Sequence, residues 1–239
     1  MLQSSMLYPQ SNAGRRSVRL DGMWKFQLDP NSCGTVDGWM DGLPAPDEIT
    51  VPASFADLYT DKQTREFCGD FWYETEVFVP DEWKGKEIDI RFGSVTHRAT
   101  VYFNGIEVVS HEGGFLPFCA RVTEIARYGA ANKLVVLANN ELSETAIPCG
   151  TTGTLPSGRK VAKPYFDFYN YSGIQRPVWL VATPKESIFD FSVSHTICGA
   201  DAVVTYDVVT TGESNVTIEV QDEEGRTVAT ACGKRGEIT

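Results

Sequence analysis

Val101-Tyr102-Phe103-Asn104-Gly105-Ile106-Glu107-Val108 is the strongest local signal in this sequence. Two strand-like runs flank an Asn-Gly pair. Both turn residues tolerate positive φ, so the segment predicts a two-residue type I′ hairpin. The same period-two alternation extends outward in both directions. Trp24-Lys25-Phe26-Gln27-Leu28 sets its large apolar groups on one face, and Ile88, Ile90 and Phe92 alternate with Asp89 and Arg91. Phe71-Trp72-Tyr73-Glu74-Thr75-Glu76-Val77-Phe78-Val79 is a long aromatic and β-branched strand that Pro80 ends. Residues 133–139 and 178–182 read as two more strands. Helical turns are expected only at 53–59 and 123–128. Many short strands with Gly and Pro punctuation predict an all-β sandwich or jelly roll.

Around Thr183-Pro184-Lys185 the pattern restarts. Residues 188–197, 202–209, 216–220 and 226–231 read as four strands, with Gly199, Gly212 and Gly225 in their turns. They match the first half of an immunoglobulin-like sandwich, which has about seven strands. The final Gly-Glu-Ile-Thr supplies no closing strand in this reading. A half sandwich leaves unpaired edges and an uncovered apolar face, so the natural protein is expected to continue.

The chain has 239 residues and a formal net charge of −11, from 32 acidic and 21 basic side chains. Such a surface repels phosphate backbones and anionic lipid, which argues against nucleic-acid and membrane partners. No segment approaches the ~20 apolar residues of a membrane span. The polar N-terminus lacks the apolar core of a secretory signal, which points to the cytoplasm. Six widely spaced cysteines (33, 68, 119, 149, 198 and 232) read as free thiols in a reducing compartment. Their spacing gives no zinc motif, and no cofactor or metal is expected.

Catalytic constellations are absent from the pattern. His97, His111 and His195 belong to no nucleophile, zinc or phosphate-loop motif and read as packing or local hydrogen-bonding residues. Glu74 and Glu76 share a strand face and read as solvent-facing. Asp222-Glu223-Glu224 before Gly225 reads as a solvated hairpin turn.

The densest polar-aromatic stretch is Tyr165-Phe166-Asp167-Phe168-Tyr169-Asn170-Tyr171, with six aromatic or carboxylate side chains in seven positions. Sugars need this mixture. Rings stack on the C–H faces, and a carboxylate accepts bonds from adjacent hydroxyls at roughly 1.5–3 kcal/mol each. The residues alone leave a second reading open, in which the rings are core and Asp167 caps a loop.

FDFYNYSGIQRPVWL resembles the segment closing the sugar-binding domain of β-glucuronidases, in glycoside hydrolase family 2. LDGMWKFQLD, VPASFADLY, GDFWYETEVFVP, RFGSVTHRATVYFNGIEVVSHEGGFLPF and NNELSETAIPCG follow in the family's order. The resemblance implies a lead at 1–17, a galactose-binding-like jelly roll at 18–184 and a truncated immunoglobulin-like sandwich at 185–239. The family's catalytic (β/α)₈ barrel, which needs ~250 residues, has no counterpart here. Family chemistry is retaining hydrolysis by two glutamates about 5–5.5 Å apart. In the family both sit on the barrel, so this chain alone is expected to be inactive. Asn139-Asn140-Glu141 is not the family's acid–base motif. Asp167 matches the family's aspartate that reaches the barrel's site and binds sugar hydroxyls. Phe166 stands where the family often has histidine, and Arg176 matches a structural arginine. The implied substrate is a glucuronide, bound only beside the barrel, and the parent enzyme is expected to be a homo-oligomer. A stand-alone carbohydrate-binding module, the same part of a family 2 β-galactosidase or β-mannosidase, and a structural or adhesion sandwich are the alternatives.

Overall fold

The computed structural model describes residues 8–239, so the first seven residues of the lead expected at 1–17 lie outside the described residues. The fold is all-β. In chain order the strands are β1 (Arg16–Arg19), β2 (Gly22–Asp29), β3 (Asp47–Val51), β4 (Asp70–Val79), β5 (Glu87–Phe92), β6 (Val95–Thr96) and β7 (Arg98–Phe103). Next come β8 (Ile106–Glu112), β9 (Phe118–Arg121), β10 (Ala130–Asn139), β11 (Gly150–Thr154), β12 (Lys160–Pro164), β13 (Gly173–Ile174) and β14 (Val178–Thr183). The last five are β15 (Ile188–Cys198), β16 (Asp201–Thr210), β17 (Thr217–Gln221), β18 (Thr227–Cys232) and β19 (Arg235–Ile238). Two single-turn helices, α1 (Phe55–Leu58) and α2 (Lys62–Arg65), interrupt them. Among the described residues, no helix is long and apolar enough to cross a membrane.

The chain divides between Ala182 and Thr183 into two compact units. In the first, a six-stranded sheet (β3-β2-β4-β10-β7-β8) and a four-stranded sheet (β1-β14-β5-β9) contribute to one buried cluster. Alternation decides which residues enter it. Phe71, Tyr73, Val77 and Val79 of β4 point inward with Ile88, Ile90 and Phe92 of β5. Trp72 on the opposite face of β4 joins a smaller cluster with Trp39, Leu43, Tyr102 and Val135.

The Asn104-Gly105 turn forms as expected, with φ of 52° and 81°. Asn104 donates from its side chain to the Ile125 carbonyl and Asn132 Oδ1, and its Oδ1 accepts from the Lys133 N–H. The helical turn expected at 53–59 is α1. At 123–128 the chain makes only a turn, closed by the Ala126 N–H on the Val122 carbonyl.

Glu74 departs from the solvent-facing expectation. It is 3% exposed, because the segment before β3 folds over the outer face of the sheet. Its carboxylate accepts from Lys25 Nζ at 2.7 Å and from the Leu43 N–H at 2.8 Å. Glu76 is exposed.

The second unit has a three-stranded sheet (β15-β16-β19) and a two-stranded one (β17-β18) around Tyr206, Val208, Val216 and Ile238. The final residues, expected to add no strand, form β19 instead. It pairs antiparallel with β16, setting Ile238 opposite Val204. Asp222 organises the β17–β18 turn by accepting from the Glu224 and Arg226 N–H groups.

Candidate functional site

Residues 165–171 connect β12 to β13. Tyr165, Phe166, Phe168, Tyr169 and Tyr171 are all exposed. The reading that made these rings core is therefore set aside. The Phe168 N–H bonds the Phe166 carbonyl at 2.8 Å. That two-residue closure is a γ-turn with Asp167 at its apex. The Asp167 side chain is exposed there, with no hydrogen bond or ion pair to another described residue. A carboxylate presented among rings, with its lone pairs uncommitted, is equipped to accept from hydroxyl groups.

The two ends of the loop are held firmly. At the entry, β12 pairs with β11 and the Tyr165 N–H reaches the Cys149 carbonyl. Midway, Tyr169 donates its hydroxyl proton to the Arg65 carbonyl at 2.9 Å, and the Arg65 guanidinium lies 5.9 Å from its ring centre. At the exit, Asn170 bridges His97 Nε2 at 2.6 Å and the Asn140 carbonyl at 3.0 Å. Asn140 donates to Ser172 Oγ and the Phe67 carbonyl while accepting from the Gly69 N–H. The Ser172 N–H reaches Ser54 Oγ. Gly173 follows at φ 133°, and a Cβ there would lie 2.7 Å from the Ala53 carbonyl oxygen, so the close approach requires glycine.

The other residues weighed from sequence have separate places. His97 is 3% exposed, and burial, reinforced by the Arg98 charge and opposed by the Asn170 bond, holds its imidazole below the ordinary value. His111 stacks on Phe118 at 4.3 Å and bonds the Gly113 carbonyl. His195 is exposed on β15. Arg176 donates to the Phe115 carbonyl at 3.1 Å. Glu141 pairs with Lys160 at 2.5 Å and Asn139 bonds Asp70, so the Asn139-Asn140-Glu141 run serves the sandwich and the loop. Five described thiols (33, 68, 119, 149 and 232) are free. Burial pushes Cys68 up to about 11 and Cys119 up to about 12, so neither is a ready thiolate.

Residues 18–184 match the family model described as glycosyl hydrolases family 2, sugar binding domain. The chain belongs to glycoside hydrolase family 2. It carries that family's N-terminal sugar-binding part. Among curated family 2 relatives, it is 36% identical to the β-glucuronidase of Paenibacillus borealis over 98% of this chain and 40% of that protein. It is 34% identical to the human β-glucuronidase over 99% of this chain and 40% of that protein. The crystal structure of Ruminococcus gnavus β-glucuronidase superposes with a TM-score of 0.93 at 56% identity, covering 98% of this chain and 40% of that one. That enzyme has also been solved in complex with D-glucuronic acid. The chain thus spans about 40% of the length of the relatives it matches.

Proposed function

We propose that this chain is the non-catalytic, substrate-facing part of a retaining β-glucuronidase, and that Asp167 binds hydroxyl groups of the sugar. The observation that carries the reading is the exposed, uncommitted carboxylate at the apex of an aromatic turn, inside a domain of the sugar-binding class. The relatives named β-glucuronidase support the glucuronide as substrate. In this reading the two catalytic glutamates are supplied by a barrel outside these residues, and the chain alone hydrolyses nothing. Thr183–Thr239, with its two small sheets, is part of an immunoglobulin-like sandwich. Five free thiols support a reducing, cytoplasmic setting, and the parent enzyme self-assembles as family members do.

The test is Asp167→Ala in the full-length enzyme, assayed on an aryl β-glucuronide. Loss of one bond to a charged acceptor is expected to lower kcat/KM about 10- to 100-fold, and loss of a second to lower it further. Tryptophan emission should not change. Unaltered kinetics would remove Asp167 from the site. Cleavage of β-galactosides or β-mannosides with aryl β-glucuronides left intact would overturn the substrate.

The five exposed rings favour one second reading, a module that binds sugar unaided. Sub-millimolar binding of glucuronic acid by the 239-residue chain in calorimetric titration would support it. Absence of heat would support a subsite that works only beside a barrel.

A further inference from the structure

We propose that His97, as a neutral imidazole protonated at Nε2, is the positioning residue that fixes the Asp167 loop through Asn170. The inference deepens the reading of Asp167 as a sugar contact and rests on it for its catalytic consequence.

Hydrogen-bond chemistry sets the tautomer. The Asn170 side chain donates from Nδ2 to the Asn140 carbonyl at 3.0 Å, so its other atom, Oδ1, is the one 2.6 Å from His97 Nε2. An amide oxygen only accepts, and the imidazole must therefore donate from Nε2. His97 Nδ1 is buried with no hydrogen-bond partner among the described residues. It faces Gly114, where an added Cβ would come within 2.9 Å of it. A second ring proton would have no acceptor in that place, so the site selects the neutral form.

The histidine is itself a rigid anchor. Its N–H bonds the Asn139 carbonyl at 2.8 Å, its carbonyl accepts from the Gly113 N–H at 3.1 Å, and Phe115 meets its ring edge-on at 6.3 Å. Asn170 adds a third tie, since its carbonyl accepts from Ser172 Oγ at 3.0 Å. Asn170 lies three positions after Asp167. Whatever fixes Asn170 therefore limits where the Asp167 carboxylate can sit. A sugar contact needs placement to a fraction of an ångström, and that placement comes from supporting residues of this kind.

The experiment pairs His97→Leu, which fills the volume without a donor, with His97→Gln, which restores one. Amide exchange of the full-length enzyme is the first readout. His97→Leu should speed exchange at Tyr171 and Ser172 about tenfold while β10 amides stay unchanged, and His97→Gln should recover most of the protection. Unchanged exchange in His97→Leu overturns the tether, as does equal loosening by both variants. The second readout is a double-mutant cycle on kcat/KM of the full-length enzyme. His97→Leu should lower it about tenfold alone and by no more than about twofold in an Asp167→Ala background. Additive losses would overturn action through Asp167. If Asp167→Ala alone were silent, the sugar-contact reading would fail, and the exchange result would still decide the tether. The ring ¹⁵N shifts should report proton on Nε2 only; a proton on Nδ1 contradicts the proposal.

Discussion

The two units obey the same strand alternation and reach different ends. In the first, alternation on facing sheets encloses Trp24, Phe26, Phe71, Tyr73, Phe92, Phe103 and Phe118 almost completely. In the second, β16 sets Val204, Tyr206 and Val208 into a small core. Their cross-strand partners on β15 include Val193 and Phe191. These face the same way but are 60% and 62% exposed, and Ile197 is 70% exposed. Period two therefore states which side chains share a face. Whether that face becomes a core depends on how many strands lie across from it, and five strands enclose only a narrow one.

The largest effect is expected at Phe71, which is fully buried and meets Phe55 edge-on at 5.0 Å. Phe71→Ala should cost the first unit about 3–5 kcal/mol. All five tryptophans (24, 39, 72, 83 and 179) belong to that unit, so their emission during urea unfolding reads it separately. A loss under about 1 kcal/mol would contradict the packing described.

An intermediate effect is expected at Glu74, on the outer face of β4. Burial alone would raise its carboxyl, but the Lys25 and Leu43 bonds, with the Lys25 and Lys133 charges, hold it below its ordinary value of 4.5. A carboxylate with a depressed folded value contributes stability that is complete above the ordinary value. That stability is lost as pH falls through the folded one. Glu74→Gln should therefore cost about 1–2 kcal/mol at neutral pH. The gap between variant and parent should close as urea unfolding is repeated toward pH 3. A gap independent of pH would mean that packing, not charge, holds the segment.

The smallest effect belongs to the second unit. Phe191→Ser removes an exposed ring and should change stability by no more than about 0.5 kcal/mol. A cost near that of Phe71→Ala would show the face to be covered.

Much of the fold was legible because long strands carry their own pattern. β4, β10 and the Asn104-Gly105 hairpin declare themselves over a few residues. Strands β11 and β19 did not, since Gly150-Thr151-Thr152-Gly153-Thr154 and Arg235-Gly236-Glu237-Ile238 lack alternating apolar residues and are defined by their partners. Asp61 caps α2 by accepting from the Thr64 N–H, a signal carried within four residues of sequence. The carboxylate of Glu74 meets Leu43, 31 positions away, and His97 meets Asn170, 73 positions away. Contacts at such separations leave no local trace. The exposed polar-aromatic loop that carries Asp167 stands out in the sequence by its residue types, whereas the frame that holds it does not.

Asp167 is proposed to contact the sugar in the full-length enzyme. The most direct measurement is a crystal structure of the full-length enzyme with D-glucuronic acid bound. An Asp167 carboxylate oxygen about 2.5–3.0 Å from a sugar hydroxyl is the expected result. A bound sugar with every Asp167 oxygen beyond about 3.5 Å of its hydroxyls would contradict it.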